Sequence, residues 1–175
     1  MRKQILIAGL VISLVALPCM VEAGTLFHAT KKAIARKIAA RGFSVKLMSP
    51  KARFGKGAYL SRSKATAIRE KPKAEALVVF RDTKKLKNNA ISVKDMRKSR
   101  IKAISGDKDL RGNIRYGIIG PNLGKKIGKN AAHKGKSVFY KSARDPRGTN
   151  VFIPAKVYQR DPKIVRQTGK IYDVR

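Results

Sequence analysis

Two short segments decide the fold of this chain, TLFHAT at residues 25–30 and FGKGAYLS at residues 54–61. Both place apolar residues in short extended runs bounded by turn or capping residues. This pattern predicts one strand at 25–28 and another at 58–61. Glycine and lysine dominate the approach to the second strand, so we expect a loop there.

A helix signal follows each of these strands. Thr30 is suited to cap a helix over 31–41, and Gly42 is the residue type that commonly ends one. Ser63 is likewise suited to cap a helix that runs to about residue 70. The N-terminal part of the chain is therefore predicted to form two strand–helix units in succession.

The rest of the chain predicts short strands and few helices. Further strand candidates lie at residues 43–47, 75–81, 101–104, 114–119, 137–141, 150–153 and 169–174. Glycines alternate with lysines between 124 and 136, a composition more typical of a solvated surface loop than of a phosphate cradle. Together these elements predict an α+β fold in one domain.

The first 23 residues predict a secretory signal peptide. Two basic residues precede an apolar run at 5–17, and small residues allow cleavage after Ala23. Cleavage would remove Cys19 and leave a single basic domain at 24–175, which we expect to be secreted or periplasmic. A retained anchor is the alternative, although thirteen apolar residues are short for a membrane span. Contact with a membrane is expected only through this peptide.

The charge of the chain is strongly basic. Lys and Arg number 42 against 10 Asp and Glu, so the formal net charge is +32. Such a chain attracts phosphates, acidic proteins and anionic surfaces at long range. The only histidines are His28 and His133, and no G-x-S-x-G turn occurs. These counts exclude a zinc site with several N or S ligands and a serine triad, and we expect no metal.

The residues from 25 to 67 resemble the first half of the ADP-ribosyltransferase fold, in the branch of diphtheria toxin and the poly(ADP-ribose) polymerases. That branch has a strand ending in His-Gly-Thr or a variant, then a helix ending in Gly. A loop reading Phe-Gly-x-Gly-hydrophobic-Tyr and a Ser-x-x-Ala helix follow. The matching residues here are His28-Ala29-Thr30, Gly42-Phe43, Phe54 to Tyr59 and Ser63 to Ala67. The resemblance implies a split antiparallel β-sheet core with two early helices.

The resemblance also implies roles for individual residues. His28 would donate a hydrogen bond to a ribose hydroxyl of NAD, the substrate, while Tyr59 would stack on the nicotinamide ring. The backbone beside the histidine would grip the carboxamide, and the glycines would let the loop approach the cofactor. The implied NAD-binding residues are His28, Ala29, Thr30, Gly55, Gly57, Tyr59 and Ser63.

One motif of the family is absent from the sequence. The family usually has a Glu at the start of a late strand, where this chain has Asn150 or Val151. Asp145 is a candidate replacement for that acid, although residues 145–148 also have the composition of a turn. Relatives without the acid resemble single-transfer or inactive members. We therefore expect single transfer, with Asn150 or Asp145 joining His28 and Tyr59 as catalytic residues.

The sequence thus predicts an exported, toxin-like, monomeric mono-ADP-ribosyltransferase that modifies a protein or nucleic-acid acceptor. Two alternatives stay open. One is an RNA 2′-phosphotransferase, because those enzymes also begin with a strand that resembles His-Gly-Thr. Their pattern relies on arginines and on a second His. This chain has Arg53 and Arg62 beside the loop, but it has Tyr59 in place of the second His. A non-enzymatic cationic protein that binds nucleic acid or the cell envelope would explain the charge without requiring an acid.

Overall fold

The computed structural model describes residues 24–93, 119, 121–145 and 147–174. The predicted signal peptide at 1–23 and the predicted strand at 101–104 lie outside these residues. So does the predicted strand at 114–119, except for its last residue.

The strands form one open sheet. Seven strands are present in the described ranges. Their bounds are β1 Thr25–Thr30, β2 Gly57–Ser61, β3 Ala76–Asp82, β4 Ala90–Ser92, β5 Ser137–Lys141, β6 Thr149–Pro154 and β7 Val165–Asp173. The order across the sheet is β4-β5-β6-β2-β1-β3-β7. All neighbouring pairs are antiparallel except β4 and β5, which are parallel, so the sheet as a whole is mixed.

Five helices of the described chain accompany the sheet, and the α+β class is confirmed. Their bounds are α1 Lys32–Arg41, α2 Lys64–Glu70, α3 Lys84–Asn88, α4 Pro121–His133 and α5 Ala155–Arg160. None of the described helices is long and apolar enough to cross a membrane.

The caps of the two early helices follow the sequence signals in part. Ser63 caps α2 as predicted, because its Oγ accepts a hydrogen bond from the Thr66 N–H at 3.0 Å. Gly42 ends α1 with a φ of 77°, a left-handed conformation that favours glycine. The predicted cap at Thr30 is wrong: Lys31 precedes the first helical residue and makes no side-chain cap.

Two other sequence predictions are corrected. Residues 43–47 are not a strand, because Phe43 turns inward to stack on Phe80 and a short 3₁₀ helix, Val45–Leu47, follows. The Gly/Lys segment is not a loop but contains helix α4, whose Gly124 and Gly128 face the interior. The glycines suggested a loop, but they permit close packing instead.

The core lies on both faces of the sheet. One apolar cluster packs β1, β3 and β6 against α1 and α5, with Leu26 and Phe80 completely buried. A second cluster packs α4 against β5 and β6 and includes Phe54 and Phe152. Phe54 thereby anchors the glycine loop that precedes β2.

The sheet opens between β1 and β2. These two strands share one register pair, Phe27 with Ser61, whereas β1 pairs with β3 over six positions and β2 with β6 over five. Beyond the shared pair, the His28 side chain instead of a backbone N–H bonds to the carbonyl of Tyr59. The opening places the two segments introduced first, 25–30 and 54–61, on one cleft.

Candidate active site

A cleft of about 670 Å³ lies at the opening between β1 and β2. Its walls come from these two strands, from α1 and the 3₁₀ turn after it, and from the C-terminal end of α2. Of the predicted site residues, the lining includes His28, Ala29, Thr30, Gly57, Tyr59 and Asn150. A volume of this size is typical of a small-molecule site.

The histidine in this cleft is a neutral hydrogen-bond acceptor toward a ligand. Its Nδ1 lies 2.8 Å from the Tyr59 carbonyl oxygen, which can only accept, so Nδ1 carries the proton. Burial lowers the pKa of His28 to about 4; the bond to Tyr59 opposes the shift and the positive charge of Lys71 adds to it. The other ring nitrogen, Nε2, therefore has a free lone pair at neutral pH. In this tautomer Nε2 offers an acceptor to the cleft, whereas the resemblance implies a donor.

Tyr59 combines a cleft-facing role with a structural one. Its ring lines the cleft and packs against Phe152, with centroids 4.9 Å apart. Its hydroxyl accepts from the Phe54 N–H and donates to the Gly55 carbonyl, both at 2.9 Å. Burial raises the pKa of Tyr59 above its usual range. The phenol thus stays protonated and holds the glycine loop closed.

The two loop glycines serve different needs. Gly55 has a φ of 89° and bends the chain in a conformation that other residues rarely adopt. Gly57 has an ordinary φ, but a Cβ there would overlap the carbonyl oxygen of Ile153 and the ring of Phe152. Gly57 lines the cleft, whereas Gly55 lies outside its lining.

Ser63 also lies outside the cleft lining. Its hydroxyl accepts from the Thr66 N–H and lies 2.7 Å from the Thr66 hydroxyl. The side chain is committed to starting helix α2. The structure thus shows a capping role for Ser63 and does not bring it to the cleft with His28 and Tyr59.

Asn150 stands where the resemblance placed the missing acid. It is 2% exposed on β6, directly opposite Ser61 of β2 and Tyr140 of β5. The Ser61 hydroxyl donates to Asn150 Oδ1 at 2.6 Å, which leaves the amide nitrogen to donate elsewhere. Val151, the other candidate for that position, is completely buried in the core and does not line the cleft.

Asp145 is held in a turn and lies outside the lining of the cleft. Its carboxylate accepts from the Thr66 hydroxyl at 2.6 Å and lies 3.3 Å from Arg69. The hydrogen bond from Thr66 lowers the pKa of Asp145, and its backbone carbonyl accepts from the Gly148 N–H. These contacts fit the turn interpretation. They do not bring this acid to the cleft.

Glu70 is the acid that sequence reasoning missed. It lies at the end of α2 and lines the cleft, where it is the only carboxylate among the described lining residues. Asn150 Nδ2 donates to Glu70 Oε1 at 2.9 Å, and the Ser142 hydroxyl donates to the same oxygen at 2.6 Å. Eighty positions separate Glu70 from Asn150. No spacing signal joins residues at that distance.

Among the described residues, three cations also line the cleft: Lys37, Arg53 and Lys71. Arg62, the other arginine near the loop, lies instead 2.8 Å from Asp82 and over the ring of Phe139. The cleft thus combines apolar walls, one acid and several cations. A ligand with both a flat ring and anionic groups would suit this arrangement.

No protein family, curated protein or solved structure gave a significant match to the chain. In the ranges that the structure covers, no group of three or more His, Cys, Asp or Glu side chains could hold a metal ion.

Proposed function

We propose that the domain at 24–175 is an exported, monomeric mono-ADP-ribosyltransferase with an ADP-ribosyltransferase-like sheet and NAD as its substrate. The observation that carries the proposal is the convergence of His28 and Tyr59 on one cleft, linked through a 2.8 Å hydrogen bond across 31 positions. The opening of the sheet between β1 and β2 supports the split core of that fold.

The residues of the cleft suit the parts of a dinucleotide. His28 Nε2 accepts a hydrogen bond from a ribose hydroxyl, and the Tyr59 ring stacks on the nicotinamide. The backbone at Ala29 and Thr30 borders the same cleft and binds the carboxamide. Lys37, Arg53 and Lys71 attract the pyrophosphate, since each is a cation on the cleft wall.

The reaction transfers ADP-ribose to an acceptor. The bond between ribose C1′ and the nicotinamide nitrogen breaks, and its electron pair leaves with the nicotinamide. A nucleophile of a protein or nucleic acid then bonds to C1′ and loses a proton. The high positive charge of the chain favours an acidic protein or a nucleic acid as this acceptor.

The test is a transfer assay with the protein starting at residue 24. It is incubated with NAD labelled in the adenine ring and with cell lysate, and the products are digested with protease or nuclease. We expect label in macromolecules and free nicotinamide in solution. The controls His28→Ala and Tyr59→Ala should give less of both. Label released by protease identifies a protein acceptor, and label released by nuclease identifies a nucleic acid.

The charge also favours the second candidate, a cationic binder of nucleic acid without catalysis. This protein would bind nucleic acid with an affinity that falls steeply with salt, because phosphate contacts release counterions. Absence of NAD binding and turnover, together with such a salt dependence, would replace the enzyme proposal. The RNA 2′-phosphotransferase alternative is weakened because Arg62 is engaged by Asp82 away from the cleft.

A further inference from the structure

We propose that Glu70 is the catalytic carboxylate of this cleft and takes the place of the acid that β6 lacks. The inference rests on the proposed function, since it assigns a role in the cleavage of NAD. It is carried by the position of Glu70 at the end of α2, where its side chain reaches the cleft and hydrogen-bonds to Asn150.

The contacts of Glu70 leave one oxygen for a ligand. Oε1 receives two hydrogen bonds, from the Asn150 amide and the Ser142 hydroxyl. Within the described part of the chain Oε2 makes no hydrogen bond, and it is not among the fully buried unpaired atoms. The carboxylate is thus oriented by fixed donors on one side while its other side is accessible. Such preorganisation is what an electrostatic catalyst requires.

A row of side chains across three strands supports this carboxylate. Ser61 of β2, Asn150 of β6 and Tyr140 of β5 are successive register partners, and all three line the cleft. Burial raises the pKa of the Tyr140 hydroxyl above its usual range, and the negative charge of Glu70 raises it further. Asn150 therefore acts as a positioning residue: its carbonyl accepts from Ser61, and its amide holds Glu70.

Glu70 takes part in both the cleavage of NAD and the transfer to the acceptor. As the bond from C1′ to nicotinamide breaks, positive charge develops on the ribose, and Glu70 Oε2 stabilises it. The acceptor nucleophile forms the new bond to C1′, and its proton passes to Glu70 and then to solvent. The products are nicotinamide, the modified acceptor and one proton.

The test compares Glu70→Gln with Glu75→Gln in the protein starting at residue 24. Glu75 is exposed and lies outside the cleft lining, and its bond from the Lys32 N–H at the start of α1 can be kept by the amide oxygen of Gln, so Glu75→Gln controls for the loss of one negative charge. We expect Glu70→Gln to slow nicotinamide release about 10²–10³-fold, while the dissociation constant for NAD changes by less than about threefold. Glu75→Gln should retain the wild-type rate.

A second variant separates catalysis from support of the fold. Glu70→Ala leaves space for a small carboxylate, so added formate should restore part of the nicotinamide release, a rescue that a purely structural role would not allow. If Glu70→Gln keeps the wild-type rate, or formate has no effect on a folded Glu70→Ala protein, the assignment of Glu70 is overturned and the proposed function stands. If the wild-type protein neither binds nor cleaves NAD, the proposed function fails and the assignment fails with it.

Discussion

His28 and Tyr59 are joined by a hydrogen bond from a side chain to the backbone, where two neighbouring strands would otherwise pair through backbone groups alone. The bond fixes the tautomer of His28, because the Tyr59 carbonyl can only accept. It also places the tyrosine ring in the same cleft as the free ring nitrogen. One interaction thus fixes the free ring nitrogen of His28 and the ring of Tyr59 in the cleft together.

The first prediction concerns the pH dependence of stability. Because burial lowers the pKa of His28 from 6.5 to about 4, the unfolded chain binds the proton more tightly than the folded protein. Stability from this group is present above pH 6.5 and is lost as the pH falls toward 4. The loss is about 3 kcal/mol over that window. Denaturation at constant ionic strength measures it.

His28→Gln is the control, because it removes the titrating group. Carboxylates contribute to acid sensitivity in both proteins, so the difference between the two stability curves isolates His28. We expect the difference in free energy of unfolding between the wild type and His28→Gln to shrink as the pH falls from 6.5 to 4. Parallel curves would contradict the partly buried, neutral state of this histidine.

The second prediction separates the ring of Tyr59 from its hydroxyl. Tyr59→Phe removes the partner of the Phe54 N–H and of the Gly55 carbonyl, at a cost of about 1–3 kcal/mol of stability. It keeps the aromatic ring, so we expect NAD affinity to stay within about threefold of wild type. Tyr59→Ala loses both and should weaken NAD binding by about 1–3 kcal/mol. If calorimetry gives the same NAD affinity for Tyr59→Ala and the wild type, Tyr59 does not stack on the nicotinamide.

The sequence predicted the strand–helix units at the start of the chain because their signals are local. A capping serine and a terminal glycine act within a few residues of the helix they bound. The cleft acid was missed for the opposite reason: Glu70 has the pattern of an ordinary helix end, and its partners, Ser142 just after β5 and Asn150 on β6, are far away in the sequence. Tertiary packing determines that site.

Helix α4 was missed because glycine has a low helix propensity, about 1 kcal/mol below alanine. The structure shows what the glycines provide. A Cβ on Gly124 would lie 2.6 Å from the carbonyl oxygen of Arg53, and one on Gly128 would overlap that of Phe54. Contact with the loop beside the cleft therefore outweighs local propensity. That contact is not visible in the composition of the segment.

The third prediction follows from this contact. Gly128→Ala raises helix propensity but forces a Cβ against the Phe54 backbone, so we expect a net destabilisation of about 1–3 kcal/mol. Lys129→Ala, at an exposed position of the same helix, should change stability by less than about 0.5 kcal/mol. Thermal melts compare the two variants. A Gly128→Ala protein more stable than wild type would show that α4 does not press on the loop.

The fourth prediction tests the turn role of Asp145. Asp145→Asn removes the charge that faces Arg69 while an oxygen stays available to the Thr66 hydroxyl. We expect a lower melting temperature and an unchanged rate of nicotinamide release at temperatures where the variant is folded. Because the pKa of Asp145 is lowered in the folded protein, its stabilising effect should be present at neutral pH and be lost as the pH falls below about 4. A loss of nicotinamide release as large as that of Glu70→Gln would mean that Asp145 is a catalytic residue.

The fifth prediction concerns Asn150→Asp, which introduces an acid at the position where the resemblance to the ADP-ribosyltransferases places one. The Asn150 amide donates to Glu70 at 2.9 Å, so the substitution brings two carboxylates together in a buried place, where they share a proton and the pKa of one rises. A folded-state pKa above the unfolded value gives stability that is present at low pH and lost as the pH rises. We therefore expect Asn150→Asp to be destabilised most at neutral pH and to release nicotinamide more slowly than wild type. Asn150→Ala removes the donor without adding charge, so it should lose stability by a similar amount at every pH. Faster release of nicotinamide by Asn150→Asp than by the wild type would mean that the proposed catalytic acid belongs on β6 and that Glu70 only supports it.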